Sequence, residues 1–585
     1  MKRAIACLLC LLLALTPLAW AAEGTAAGGE SWSLGDGAYV THRLYYPQAE
    51  QMTWAEQQNL MVRYADTGAP VALTSDVYDG YLFATVPASE QGRELEVYSA
   101  QPPHFADLSD SWGGESHYAP VPGADMLAMR QIVQGNGAGE FEPDRTLTRA
   151  EAFALMARLA GLQPAGEPGY ADVDPGDWYY DTISAVRAAG IAAADERVYP
   201  DRPVTRGELT VMLYRTFSRI GWMRAPDADQ GQYVDDGDAL APWARDAYSA
   251  FGALGIFTWQ ESGQLDEDGI PGTLALAQMD RPALRREAAE LISDALRFVP
   301  VYPTQAAIDY GFDQGMPTVD GSTSTYPYTG AVYGALFINS SRHPQYPAAH
   351  SKSYYSYERL IEGEVDVLFA STKPTEDTLR KAEQAGVELE LIPIAYDAMV
   401  FFTNADNPQQ GLTMEQIRDI YVNNAYDNWA QLGGQEALFV PYCRNADSGS
   451  QAQMEQFFLH GDQIHPDIRR ETTSVSMASV LTDVDGARRD DPLTWALGYS
   501  IYYYYLSASQ ILLPENALKL LAVDGVLPSD ETIADGTYPL AGYNYAVVRA
   551  DEPADSAARR MVDFLLSEQG QQCVENAGFG PLAQS

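Results

Sequence analysis

Basic residues are scarce in this 585-residue chain: 37 Lys and Arg stand against 80 Asp and Glu, a formal net charge of −43. Nucleic-acid binding needs Lys and Arg clustered against phosphates, so no nucleic-acid partner is expected. The same charge repels small anions at long range, and any anion site must supply its own positive potential locally. Cysteine is nearly absent. Of the four, Cys7 and Cys10 fall in the first ten residues, leaving Cys443 and Cys573. Their separation makes neither a zinc pattern nor a disulfide framework, and two buried thiols are expected. Seven histidines (His42, His104, His117, His343, His350, His460 and His465) show no metal-ligand spacing. No metal or other cofactor is expected, and without an evident nucleophile–base pair a non-enzymatic protein is expected as well.

Long apolar runs are lacking, with one exception. Lys2 and Arg3 precede the apolar stretch 4–20, and Ala19-Trp20-Ala21 offers small residues for cleavage. This reads as a signal peptide over residues 1–21, too short to span a bilayer comfortably. Leu8 and Leu9 before Cys10 are not the small residues that precede a lipid-modified cysteine. The expectation is an exported chain with no transmembrane segment in its mature part.

What is present is organisation. The length calls for three or four domains. Residues 22–103 read as a small β-rich module, with strands at 82–87 and 95–99 around a turn-rich stretch. Residues 104–299 hold an internal repeat in three copies, 104–164, 165–231 and 232–299. The run Pro143-Asp144-Arg145-Thr146-Leu147-Thr148-Arg149-Ala150-Glu151 recurs as Pro200-Asp201-Arg202-Pro203-Val204-Thr205-Arg206-Gly207-Glu208. A third version is Asp280-Arg281-Pro282-Ala283-Leu284-Arg285-Arg286-Glu287. Each copy opens with an aromatic residue and an aspartate: Phe105 and Asp107, Tyr170 and Asp172, Tyr233 and Asp235. One such repeat cannot bury its own apolar face, so the copies must pack together. Taken singly, each motif is a helix start with a Thr cap, a pairing Glu and a solvated Arg.

The repeats resemble the surface-layer homology (SLH) domain, three copies of which anchor proteins to the secondary polysaccharide of Gram-positive-type cell walls. The resemblance implies α-helical repeats, a secreted protein held at the cell wall or surface layer, and a wall-polymer site. That site would comprise Thr148, Arg149 and Glu151, Thr205, Arg206 and Glu208, and Arg285 with Glu287. Leu284 stands where the third threonine would be.

From residue 300 onward, apolar strand-like runs at 365–370, 389–394 and 398–403 alternate with helical stretches at 356–361 and 376–385. This argues an α/β fold with covered sheets. Two segments rich in Ser, Thr and Gly precede helix-like stretches: 320–325, and 444–451 with its arginine, Arg444. A helix start offers unpaired N–H groups and partial positive charge, and an arginine fork can grip an oxyanion.

These motifs, the segment 365–371 and the ending 568–582 resemble the periplasmic-type phosphate-binding proteins that serve ABC importers. The resemblance implies a C-terminal α/β two-lobed periplasmic-binding-protein-like (type II) domain over 300–585. Lobe one would be about 300–400 and 540–585, and lobe two about 404–538. It further implies phosphate or a related oxyanion as ligand, an ABC permease as partner, and contacts from Ser322, Thr323, Ser324, Ser371, Thr372, Arg444, Ser448, Gly449 and Ser450. Thr372 departs from the family, which places there an aspartate that accepts the phosphate proton. Selection against sulfate would then fall to Asp447 or a threonine hydroxyl. Tyr499 and the tyrosines 502–505 are assigned to packing. The alternative is a structural or sensory surface protein with a degenerate binding domain.

Overall fold

The computed structural model describes residues 24–25, 30–101, 103, 105–108, 123–223, 234, 236, 239–256, 259–265, 271–445 and 449–582. The signal-peptide stretch, His104, His117, Tyr233, Asp235, Asp447 and Ser448 lie outside them. The chain divides into two compact units, Met1–Pro300 and Val301–Ser585. Among the described residues no helix is long and apolar enough to cross a membrane. Cys443 and Cys573 are both buried free thiols.

In the first unit, β-branched and aromatic alternation builds two antiparallel sheets around Leu44, Leu60, Val62, Leu82, Val86 and Val97. The strands Tyr81–Pro87 and Leu95–Ser99 do not form a hairpin. The first pairs with Tyr39–Tyr45 and the second with Leu60–Tyr64, so the 3-10 turn Ala88–Glu90 hands the chain from one sheet to the other.

The three repeats close on one another. Leu147 N–H donates to the Ala283 carbonyl (3.1 Å), Ala283 N–H to Val204 (2.9 Å), and Val204 N–H to Leu147 (2.9 Å). These residues precede the three motif helices Arg149–Leu159, Arg206–Ile220 and Arg285–Phe298. A helix leaves its first N–H groups unpaired. Here the Pro-Asp-Arg turn of a neighbouring copy accepts them: Arg149 and Ala150 donate to Arg202 and Pro200, and Arg285 and Arg286 to Arg145 and Pro143. Arg206 and Gly207 donate to Arg281 and Met279 in the same way. Phe153, Met156, Leu213, Phe217, Ile292 and Leu296 share one core.

Three aspartates fasten the copies internally. Asp107 accepts the N–H groups of Phe141 and Glu142, both at 2.6 Å, and Asp172 those of Val198 and Tyr199. In the third copy the acceptor is Asp236, bonded by Ala277 and Gln278 at 2.7 and 2.9 Å. This corrects the sequence register by one residue. The aspartate is Asp236 rather than Asp235, and buried Val234 fills the aromatic position. That position has to be apolar and buried, and aromaticity is dispensable.

In the second unit a mixed sheet runs in the order Val319–Gly321, Val367–Ala370, Ala541–Arg549, Leu389–Asn404, Thr494–Ile501, Leu438–Pro441. The first and last pairs are parallel and the others antiparallel. Alternate residues of one strand feed two cores: Val367 and Phe369 one face, Leu368 and Ala370 the other. The strands expected at 389–394 and 398–403 are one strand of 16 residues. Its first part pairs with Ala541–Arg549, and Met399–Thr403 pair with Leu497–Ile501, so the strand passes from one lobe core into the next. At its middle the register shifts between Pro393 and Ala395, where a proline cannot donate to the ladder.

Asp397 lies at that passage, 1 % exposed. It accepts from Ala398 N–H at 2.8 Å and from Asn544 Nδ2, on the return strand, at 3.3 Å. Burial outweighs these bonds and pushes its carboxyl up to about 7. Between about pH 4 and pH 7 the folded state therefore binds more protons than the unfolded one, and stability falls as pH rises across that window. Asp397→Asn removes the titration at constant shape. It is expected to match the wild type near pH 4 and exceed it by about 4 kcal/mol at pH 8. Denaturant unfolding at several pH values reads this, and a difference independent of pH would contradict it.

Candidate functional site

The short strand Val319–Gly321 delivers the first predicted loop to the end of the sheet, beside the end of Val367–Ala370. Ser322 is fully buried. Its hydroxyl accepts from Ser371 N–H at 3.0 Å and lies 2.8 Å from Ser353 Oγ. It therefore braces the loop. Ser324 and Ser371 are 3 % and 1 % exposed, and their Oγ atoms have no hydrogen-bond partner. Thr372 is buried as well, its carbonyl accepting from Tyr357 OH at 2.8 Å. Thr323, by contrast, is exposed.

A layer of polar residues that the sequence reading missed supports this loop. Asp320, 1 % exposed, accepts from Gly321 N–H, Ser351 N–H and Ser351 Oγ, and pairs with Arg359. His350 touches Ser322 O through Nδ1 at 2.7 Å and Thr329 Oγ1 through Nε2 at 2.9 Å. Burial lowers its pKa, opposed by the Ser322 bond and Asp320. The neutral ring donates from Nδ1 and accepts at Nε2.

From the other lobe comes Arg444, 3 % exposed, on the short strand Cys443–Arg444 paired with Thr473–Ser474. Its Nε donates to Ser474 O at 3.3 Å and Nη2 to Asn445 Oδ1 at 3.0 Å. Its own N–H donates to Tyr499 OH at 2.9 Å, and that hydroxyl lies 2.7 Å from the Gln451 amide. Arg469 holds the Arg444 carbonyl at 2.6 Å. Tyr499, assigned to packing alone, thus also fixes the arginine's backbone. Gly449 opens the helix Gly449–Met454, and Ser450, fully buried, has an Oγ without a partner.

The two halves meet through Gln453. Its Nε2 donates to Ser371 O at 3.2 Å, so the helix carrying Ser450 abuts the loop carrying Ser371. Ser450 and Gln453 are three residues apart and share a helix face. The arrangement offers buried hydroxyls from both lobes, a fixed cation, and no exposed carboxylate among the residues so placed. It can hold a small anion rich in acceptors.

The repeat motifs form the capped helix starts read from each motif singly, but their arginines are not solvated. Thr148 and Thr205 cap their helices reciprocally with Glu151 and Glu208. Leu284 manages only the backbone half of that box, donating to Glu287. Each arginine meets a glutamate of another copy. Arg149 bonds Glu208 at 2.6 Å and Val198 O at 2.7 Å, and is no solvated side chain. Arg206, whose pKa burial lowers, is opposed by Glu287, and Arg285 reaches Phe141 O and Gln134 O. Two cavities lie along these seams. One of about 240 Å³ includes Glu151, Arg158, Arg285 and the 63 %-exposed Trp178. The other, about 150 Å³, sets Arg206 against Glu287, Glu290 and Asp294. Among the described residues no cluster of three His, Cys, Asp or Glu is placed to hold a metal.

Comparison with known proteins follows the same division. Residues 311–569 match the PBP superfamily domain, and residues 114–153 and 169–210 match the S-layer homology domain. The exoglucanase XynX of Acetivibrio thermocellus is 28% identical over 190 residues, 32% of this chain but 16% of that enzyme. The chain thus spans only a small part of that relative. The phosphate-binding protein PstS of Pseudomonas aeruginosa is 27% identical over 239 residues, 38% of this chain and 70% of its own length. A solved structure from Clostridium perfringens, titled a putative phosphate ABC transporter substrate-binding protein with bound phosphate, is 24% identical with a TM-score of 0.35. It covers 45% of this chain and 98% of that one. The chain carries a PBP-like domain and S-layer homology domains.

Proposed function

We propose that this chain is a cell-surface receptor for phosphate or a closely related tetrahedral oxyanion. Its second unit would capture the anion, and its repeats would hold the protein on an anionic wall polysaccharide. One observation carries the reading: Ser324, Ser371 and Ser450, from both lobes, present buried hydroxyls without partners in the company of Arg444. Buried polar groups are normally bonded, so such a set marks a place where a ligand completes the hydrogen bonding. Ser322 braces the site, and Thr323, being exposed, is left out of it. Similarity to PstS supports phosphate as the anion, and the strand shared by the two lobes suits closure around a small ligand.

The wall-anchoring part of the proposal is supported by the S-layer homology matches. The seam with Arg158, Arg285 and Trp178 suits an anionic sugar better than the one where Arg206 faces three carboxylates. Handover to an ABC permease is the transport step this receptor would serve.

Calorimetric titration of the full chain with phosphate tests the capture reading. A Kd in the micromolar range or tighter, about −8 kcal/mol or better, is expected. No heat with phosphate and none with sulfate would overturn it in favour of a structural or sensory surface protein. Sedimentation of the chain with purified cell walls tests the anchoring.

A further inference from the structure

We propose that Gln453 makes this site a reader of the proton on its ligand, so that it takes protonated oxyanions such as hydrogen phosphate or arsenate and refuses sulfate. The inference rests on the oxyanion reading above. A carboxamide has one donor end and one acceptor end. The donor end is committed, because Nε2 bonds the Ser371 carbonyl at 3.2 Å and a carbonyl carries no hydrogen. Turning the amide over would set oxygen against oxygen. Oε1 therefore points elsewhere, in a residue 6 % exposed, and it has no hydrogen-bond partner.

The other unpartnered groups here differ from it in kind. The hydroxyls of Ser324, Ser371 and Ser450 can rotate to donate or accept, whereas Gln453 Oε1 can only accept. A fully deprotonated oxyanion offers acceptors alone, so it would satisfy the serines and Arg444 while facing Oε1 lone pair to lone pair. An oxyanion with one O–H satisfies all of them. Phosphate and arsenate keep at least one proton at any pH where the protein is handled, and sulfate keeps none. No carboxylate in the first loop competes for this task. Thr372, a residue without a carboxylate, stands just past the end of the strand Val367–Ala370, and Asp320 is taken up by Arg359 and Ser351. An unmet buried acceptor costs about ten- to a hundredfold in affinity, which sets the discrimination expected.

Gln453 also ties the two lobes together, and a purely structural role would weaken both anions alike. The ratio of affinities separates the two roles. Phosphate, arsenate and sulfate are titrated into the full chain, as wild type, Gln453→Leu and Gln453→Glu, at one pH and ionic strength. The wild type is expected to bind phosphate and arsenate similarly and sulfate about a hundredfold more weakly. Gln453→Leu should lower the phosphate-to-sulfate ratio about tenfold, and Gln453→Glu, which keeps an acceptor, should preserve or raise it. An unchanged ratio in Gln453→Leu, or a wild type that binds sulfate as well as phosphate, overturns this inference and leaves the oxyanion reading standing. A wild type that binds none of the three overturns the oxyanion reading itself.

Discussion

Arg444→Ala is expected to weaken phosphate binding by two to three decades, about 3–4 kcal/mol, while the protein still folds. The guanidinium is buried, in a chain whose net charge of −43 repels anions. Nothing distant can replace it. The backbone that carries it stays anchored without the side chain, because Tyr499 OH accepts the residue-444 N–H and Arg469 holds its carbonyl. Calorimetry with phosphate measures the loss, and unfolding curves check the fold. Arg444→Lys should fall between, since it keeps charge but loses the planar fork. Binding by the alanine variant within threefold of wild type would show that the anion sits elsewhere.

Gly321→Ala is expected to destabilise the second unit by about 3 kcal/mol or more and to abolish binding with it. A Cβ at Gly321 would overlap the Phe369 carbonyl oxygen and stand 3.0 Å from His350 Nδ1. The oxygen belongs to a strand paired in register with Gly321, and it also accepts from Ser322 N–H and Thr325 Oγ1. None of these can yield without moving the loop that carries Ser322 and Ser324. Scanning calorimetry should show the transition of one unit lowered and the other unmoved. A variant with wild-type transitions would mean that the sheet edge can open at no cost.

The sequence made the chemistry of this protein legible where it was written in short motifs and hid it where it depended on distant partners. Ser-Thr-Gly segments and an arginine in a basic-poor chain drew attention to Ser324, Arg444 and Ser450, and the resemblance to phosphate-binding proteins added Ser371. Gln453, His350 and Ser353 left no such mark, since each is an ordinary polar residue until the fold gives it a neighbour. Gln453 alone had a usable signal, one helical turn beyond Ser450. The repeat was visible through Pro-Asp-Arg and Thr-Arg pairs. Its pairing was not, because Arg149 answers to Glu208, 59 residues away. In the third copy, loss of the aromatic at Val234 shifted the apparent register by one. The long strand Leu389–Asn404 read as two because the stretch 395–397, ending in Asp397, interrupts the apolar run in its middle, the very place where it changes lobes.

The closed triangle formed by Leu147, Val204 and Ala283 has a mechanical consequence. An open stack of repeats can peel from one end, each copy leaving as its single seam gives way. Here every copy is seamed on both sides, so there is no end at which peeling starts. Tension applied through the chain at Pro300 must break two seams at once to free the third copy, and the remaining pair is then a fragment with exposed apolar faces. A tether built this way holds at full strength up to its limit and then lets go in a single event.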